Sequence, residues 1–189
     1  MDITAQKTFL SEDNVKLHLS HLSELRLRYS IFKKSAPTLV GKTLRQVMNM
    51  HSSDGLKNEI LPLINSIKSH ELYFSSFSSE PRNCKEIKSY YSSDAAFLYE
   101  LYRAAREYSY GFLYVGIDRG GKPELAFGDG SALPKLYSPP YLALDLYEHV
   151  YFLDYAYSKE KFLRAMLSHL DISKLFSGEN ANTYLDTEL

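Results

Sequence analysis

The sequence predicts an α+β fold. An N-terminal helical hairpin is expected over residues 1–79, and a C-terminal domain over residues 80–189 with a three-stranded antiparallel sheet flanked by helices. Three observations predict it. Apolar residues recur at helical spacing through two long runs of the first half, 10–34 and 54–77. Two β-prone segments, Gly111–Ile117 and Glu124–Phe127, flank Asp118-Arg-Gly-Gly121, a good hairpin turn. A short apolar run, Tyr141–Leu144, then delivers a carboxylate, Asp145, at its end.

The first helix starts at Ser11, which is followed three residues later by the amide of Asn14 and then by apolar residues at helical spacing. Ser35-Ala-Pro37 ends it. Thr43–Met50 reads as a short helix, and the second long one runs over Asp54–Phe77, reached through Ser52-Ser-Asp54-Gly. Ser78-Ser-Glu-Pro81 marks the boundary between the halves. Beyond it, Asn83–Tyr91 and Asp94–Tyr108 read as Tyr-rich helices. The hairpin and the third strand follow, and Lys159–Leu170 is a closing helix.

At 189 residues with 44% hydrophobic content, the chain can bury a substantial core. A net charge of −1 gives no argument for nucleic acid or a membrane surface as a partner. Cys84 is the only cysteine, so no intrachain disulfide is possible. The N-terminus lacks the apolar core of a secretory signal, and no apolar run is long enough to span a bilayer; the expected location is cytoplasmic. Gly116-Ile-Asp-Arg-Gly-Gly121-Lys122 has phosphate-loop spacing. Pro123 stands where Ser or Thr would hold magnesium, however, and the flanks alternate like strands. No Gly-x-Ser-x-Gly elbow occurs, so nucleophilic hydrolysis has no support.

Asp145 and His149 are four residues apart, the spacing that puts two side chains on one face of a helical turn. An Asp and a His converging where a strand gives way to a helix make half of a metal site. The chain has six histidines: His18, His21, His51, His70, His149 and His169. His18 and His70 lie inside the two long helical patterns, His70 just before Tyr73 and Phe74. His21, three residues after His18, either pairs with it on one helix face or faces solvent or an interface. His51 and His169 have no ligand-like context, and Asp154 reads as a cap or partner of a neighbouring helix.

Taken together, these residues resemble the iron/manganese superoxide dismutase family. Asp145-Leu-Tyr-Glu-His-Val-Tyr-Phe-Leu-Asp-Tyr155 resembles its Asp-x-Trp-Glu-His-Ala-Tyr-Tyr-x-Asp-Tyr signature, the most specific part of the match. The Leu10–His18 run resembles its Ser-x-x-Thr-x-x-x-His start, and Ser69-His-Glu-Leu-Tyr-Phe74 its Asn-His-x-Phe-x-Trp segment. Gly111-Phe-Leu-Tyr-Val and Gly121-Lys-Pro-Glu-Leu resemble the two strands leading to the carboxylate. The resemblance runs in register from about residue 9 to 176. It implies one iron or manganese ion per chain, held by His18, His70, Asp145 and His149. It also implies superoxide as substrate, oxygen and hydrogen peroxide as products, and a homodimer in which Glu148 accepts a hydrogen bond from His149 of the partner subunit.

The departures from the family pattern are specific. There is no Trp; the family's Trp positions read Phe74, Phe112, Tyr114 and Tyr147. The place of the gateway Tyr is Arg26, which cannot give up a proton but can attract an anion by its charge. The two alternative places of the outer-sphere Gln read Ser66 and Ser131. Leu22 and Phe152 replace a polar pair that the family sets across its dimer, so an apolar contact is expected there. These departures leave a second reading: a dismutase-like protein that keeps the fold, with or without the metal, in a structural or partner-binding role.

Overall fold

The computed structural model of the chain describes residues 3–50, 55–177 and 184–188. His51 and the Ser52–Asp54 approach to the second long helix lie outside the described residues. The first helix, α1 (Glu12–Ser35), is capped by Ser11, whose hydroxyl accepts the Asn14 N–H at 3.3 Å. Val15, His18, Leu22, Leu25 and Tyr29 recur in steps of three and four and are all buried, so one stripe of the helix faces the core. A short α2 (Leu44–Met48) begins in a capping box formed by Thr43 and Gln46.

The second long helix, α3 (Gly55–Ser75), is the central one, packed on α1 and on the sheet. Its C-terminal half is buried around most of its circumference, and the polar Asn65, Lys68, Ser69 and His70 are buried with it. Buried polar groups need partners. Asn65 donates to the Ser131 carbonyl at 3.2 Å, and Ser69 lies 2.6 Å from the Tyr114 hydroxyl.

The sheet consists of β1 (Phe112–Ile117), β2 (Pro123–Gly128) and β3 (Leu142–Asp145), antiparallel, in the order β2-β1-β3. The register sets Phe112 opposite Gly128 on one side and Asp145 on the other. Asp118 fixes the hairpin turn, its Oδ1 accepting the N–H groups of Gly120 at 2.7 Å and Lys122 at 2.9 Å. In the loop with phosphate-like spacing, the amides of Gly120, Gly121 and Lys122 are therefore already engaged. Gly121 adopts φ +85°, and a Cβ there would meet the Tyr90 hydroxyl at 2.6 Å.

Three helices complete the fold: α4 (Asp94–Glu107), α5 (Glu148–Tyr155) and α6 (Lys159–Leu167). The helix expected over Asn83–Tyr91 is a single 3-10 turn, Glu86–Ser89. Only Cys84 and Ile87 are buried along that stretch, too few to hold an amphipathic helix against the core, and the Asp94 carboxylate takes the Cys84 N–H at 3.1 Å. The closing helix stops at Leu167, and Leu170 instead bridges Phe77. Ser76 at the end of α3 ties these parts together. Its hydroxyl accepts the Ala143 N–H at 2.9 Å, and its carbonyl accepts the Asp171 N–H at 3.0 Å.

Asp154 braces α5 against the start of α1, accepting from the Ser11 N–H at 2.8 Å and the Asn14 amide at 2.9 Å. Residues 184–188 return to the N-terminal helices, where Arg45 pairs with Asp186 at 2.6 Å and the buried Lys68 ammonium donates to Thr187 at 2.5 Å. No helix among the described residues is long and apolar enough to cross a membrane.

Candidate metal centre

Four elements each deliver one side chain to a common point. His18 comes from the buried stripe of α1 and His70 from the buried half of α3; Asp145 is the last residue of β3 and His149 lies in the first turn of α5. The Asp145 Oδ2 is 3.3 Å from His18 Nε2 and 3.7 Å from the Nε2 atoms of both His70 and His149. One donor atom from each residue lies within 4.8 Å of all the others. Asp145 and His149 do not share a helix face, although they are four residues apart. Tyr147, extended at the cap of α5, separates strand from helix, and its N–H bonds the other carboxylate oxygen, Oδ1, at 3.0 Å. The bend, rather than helical periodicity, brings the two together.

His18 Nε2, His70 Nε2 and Asp145 Oδ2 are buried without hydrogen-bond partners among the described residues. Each such orphan costs about 1–3 kcal/mol, a penalty that needs a reason. The reason lies in their convergence: lone pairs aimed at one point are satisfied by a cation. The His70 Nδ1–H donates to the Ser66 carbonyl at 2.7 Å, which leaves the lone pair on Nε2 facing the centre. Burial pushes the His18 imidazole down to about 3, and the neighbouring His21 adds to the shift. Burial brings His70 down to about 4 against the pull of Asp145, and it lowers His149 as well. The same burial raises the Asp145 carboxyl. Three neutral imidazoles thus surround a carboxylate whose charge they do not balance. That N3O donor set fits one first-row transition ion.

Aromatic rings wall the centre. Phe74 and Tyr73 lie 4.8 and 4.9 Å from the His18 ring, Phe112 meets His70 edge-on at 5.2 Å, and Tyr147 stacks on His149 at 5.5 Å. Tyr114 stacks behind Phe112 at 5.7 Å. The enclosure has one weak side: the His149 side chain is 38% exposed, while those of His18 and Asp145 are fully buried.

Residues 80–176, just over half of the 189-residue chain, match the C-terminal domain model of iron/manganese superoxide dismutases. The chain belongs to the iron/manganese superoxide dismutase family. No curated protein gives a significant match. Against the family pattern, the residues at the Trp positions, Phe74, Phe112, Tyr114 and Tyr147, all lie in the aromatic wall or directly behind it. Neither place of the family's Gln sends an amide to the centre. Ser66 serves His70 through its carbonyl, and the Ser131 hydroxyl is bound to Asp129 at 2.7 Å.

The remaining candidates fall elsewhere. Arg26 is exposed, and its guanidinium is held by Glu71 at 2.8 Å; Glu71 in turn pairs with Lys68 at 3.3 Å. Glu148 is exposed at the start of α5, beside His149. Leu22 is 1% exposed inside the chain's own core, so it cannot form the expected apolar contact with another copy; Phe152, 45% exposed, can. His169 stacks on Phe9, away from the centre, as its context suggested. His21 proves close: its ring centroid is 5.0 Å from that of His70 and 5.4 Å from that of His149. Its three-residue spacing from His18 was the available signal. The Ser66 carbonyl, by contrast, left no mark in the sequence.

Gly130 sets the position of the wall. It adopts φ +82°, and a Cβ there would lie 2.9 Å from the Phe112 ring that backs His70. Gly130→Ala is therefore expected to cost about 1–3 kcal/mol through strain and displacement of Phe112. It should also lower the metal retained after dialysis. A variant with wild-type melting and full metal content would remove Gly130 from this role.

Proposed function

We propose that this protein is a superoxide dismutase with one iron or manganese ion per chain, held by His18, His70, Asp145 and His149. The observation that carries the reading is the convergence of four donor atoms, three of them buried without partners. When bound, such an ion supplies one-electron chemistry, by which two superoxide ions and two protons give oxygen and hydrogen peroxide. The chain's own residues do the rest. Asp145 contributes the only negative ligand charge, the Ser66 carbonyl holds the His70 ring in one tautomer, and the aromatic wall excludes water from three sides. Substrate and protons then arrive past His149, the exposed ligand. On this reading the halves meeting near residue 80 contribute two ligands each, so the ion ties them together.

The alternative, a metal-binding or partner-binding relative with little turnover, is favoured by specific features. Ser66 and Ser131 replace the family's Gln, Arg26 replaces its Tyr, and the His18 Nδ1 has no hydrogen-bond partner among the described residues. One pair of measurements separates the two: metal content and superoxide consumption of the purified protein. Stoichiometric iron or manganese with rapid consumption supports the dismutase, metal without consumption the alternative. Absence of both metals from protein made in metal-replete cells would sink the metal site. Asp145→Ala is expected to lose the ion and, with it, the stabilisation that a tightly bound ligand gives, about 4 kcal/mol at a thousandfold excess over Kd. Equal melting of the wild-type and variant proteins would count against it.

Arg26 is proposed to add positive potential near the approach, reduced by its pairing with Glu71. Arg26→Glu should then lower the second-order rate constant for superoxide and flatten or reverse its ionic-strength dependence. A rate indifferent to both substitution and salt would exclude steering by this residue.

Glu148 is proposed to accept a hydrogen bond from His149 of the partner subunit in a homodimer. Such a bond would orient a ligand across a twofold axis, with Phe152 covered nearby. Glu148→Ala should weaken dimer and metal together. If the wild-type protein sediments as a fully metallated monomer at micromolar concentration, that arrangement is wrong.

A further inference from the structure

The concave opening beside His149 has a volume of about 370 Å³ and is lined by Leu17, Ser20, His21, Glu24 and His149. Arg26, in the place of the family's gateway Tyr, is not part of that lining. Leu17 is apolar, the Ser20 hydroxyl is spent on the Lys16 carbonyl at 2.9 Å, and Glu24 offers a carboxylate, which disfavours anions. His149 turns its Nε2 toward Asp145. That leaves His21. Its ring bridges two ligand rings, 5.0 Å from His70 at 59° and 5.4 Å from His149 at 51°. It is exposed, and neither of its nitrogens is hydrogen-bonded among the described residues. It also lies outside the group of converging donor atoms.

We infer that His21 is the anion-contacting residue of this site. Its ring N–H donates to a small monoanion that enters through the opening beside His149. The inference rests on the metal centre proposed above. It assigns the approach to a residue of α1 one turn after His18, so the same helix supplies a ligand and the donor that meets the substrate. A neutral imidazole always has one N–H to give, so the contact needs no change in its charge. A hydrogen bond to an ionised acceptor is among the stronger ones a site can offer.

The test uses azide, a small monoanion that gives a visible charge-transfer band on ferric ions, with iron-loaded full-length protein. Three proteins are titrated: wild type, His21→Gln, which keeps an N–H donor, and His21→Phe, which keeps the ring and loses the donor. Metal content and melting temperature are measured on each. The expected result is equal iron loading in all three, an azide Kd for His21→Gln near that of the wild type, and a weakening of about tenfold for His21→Phe. Equal azide affinities in all three proteins, each fully loaded, would overturn the role of His21 and leave the metal centre standing. Loss of iron from His21→Phe alone would make the residue a positioning group for the ligands, which also overturns the inference. A wild-type protein that takes up no iron would remove the metal centre, and this inference with it.

Discussion

Everything in this molecule turns on a carboxylate buried without a balancing charge. Asp145 is fully enclosed at the end of β3, with one oxygen held by the Tyr147 amide and the other facing three imidazoles that burial keeps neutral. An arrangement of this kind is unfavourable for the chain alone, since it leaves lone pairs unsatisfied in a low-dielectric pocket. It becomes favourable when a cation is shared among the four donors. The constellation therefore suits a cation that the polypeptide does not itself supply.

The supporting contacts act on the elements that bear the four residues. Asp154 clamps α5 to the cap of α1, and so couples the His149 helix to the His18 helix. Partial burial works against the charge on Asp154, but the bonds from Ser11 and Asn14 still hold its carboxyl below the usual range. Ser76 fastens the end of α3, six residues beyond His70 and about one turn past Tyr73, to β3 near Asp145. The Gln6 amide, buried, donates to the Phe74 carbonyl at 2.9 Å and so fixes the strand-side end of the same helix. Each brace joins segments distant in sequence. The site depends on long-range order.

Much of this was legible because it is local or periodic. The α1 stripe, the Ser11 cap, the Asp118 turn and the strand ending on Asp145 each follow from spacing and turn chemistry within a few residues. The four site residues stood out only in combination, since a His in an amphipathic stripe is ordinarily a core residue. What failed to show was decided by tertiary contact. Asn83–Tyr91 has helix-compatible residues but buries only Cys84 and Ile87, so the Asp94 side chain, ten residues on, claims its backbone. Leu22 sits at a position the resemblance gives to an interface, yet its place in the three-four stripe sends it inward. His21 lies one step off that stripe, where periodicity alone could not tell a solvent-facing ring from one leaning over the centre.

The absence of the family's Trp and Gln changes what orients the ligands. For His70 a hydrogen bond does so: the Ser66 carbonyl requires Nδ1–H, and the Nε2 lone pair faces the centre whether or not an ion is present. For His18 neither nitrogen has a partner among the described residues, and the ring is set by packing between Tyr73 and Phe74, with His70 and His149 against its other sides. Aromatic packing fixes the plane of an imidazole but is indifferent to which nitrogen carries the proton. An ion held through Nε2, as proposed, would require a free lone pair there and would leave the proton on Nδ1 in an apolar pocket. Of the four candidate ligands, His18 alone has both ring nitrogens buried without a partner among the described residues. Because His18 is a core position of α1, occupancy of the proposed centre would bear directly on the packing of that helix.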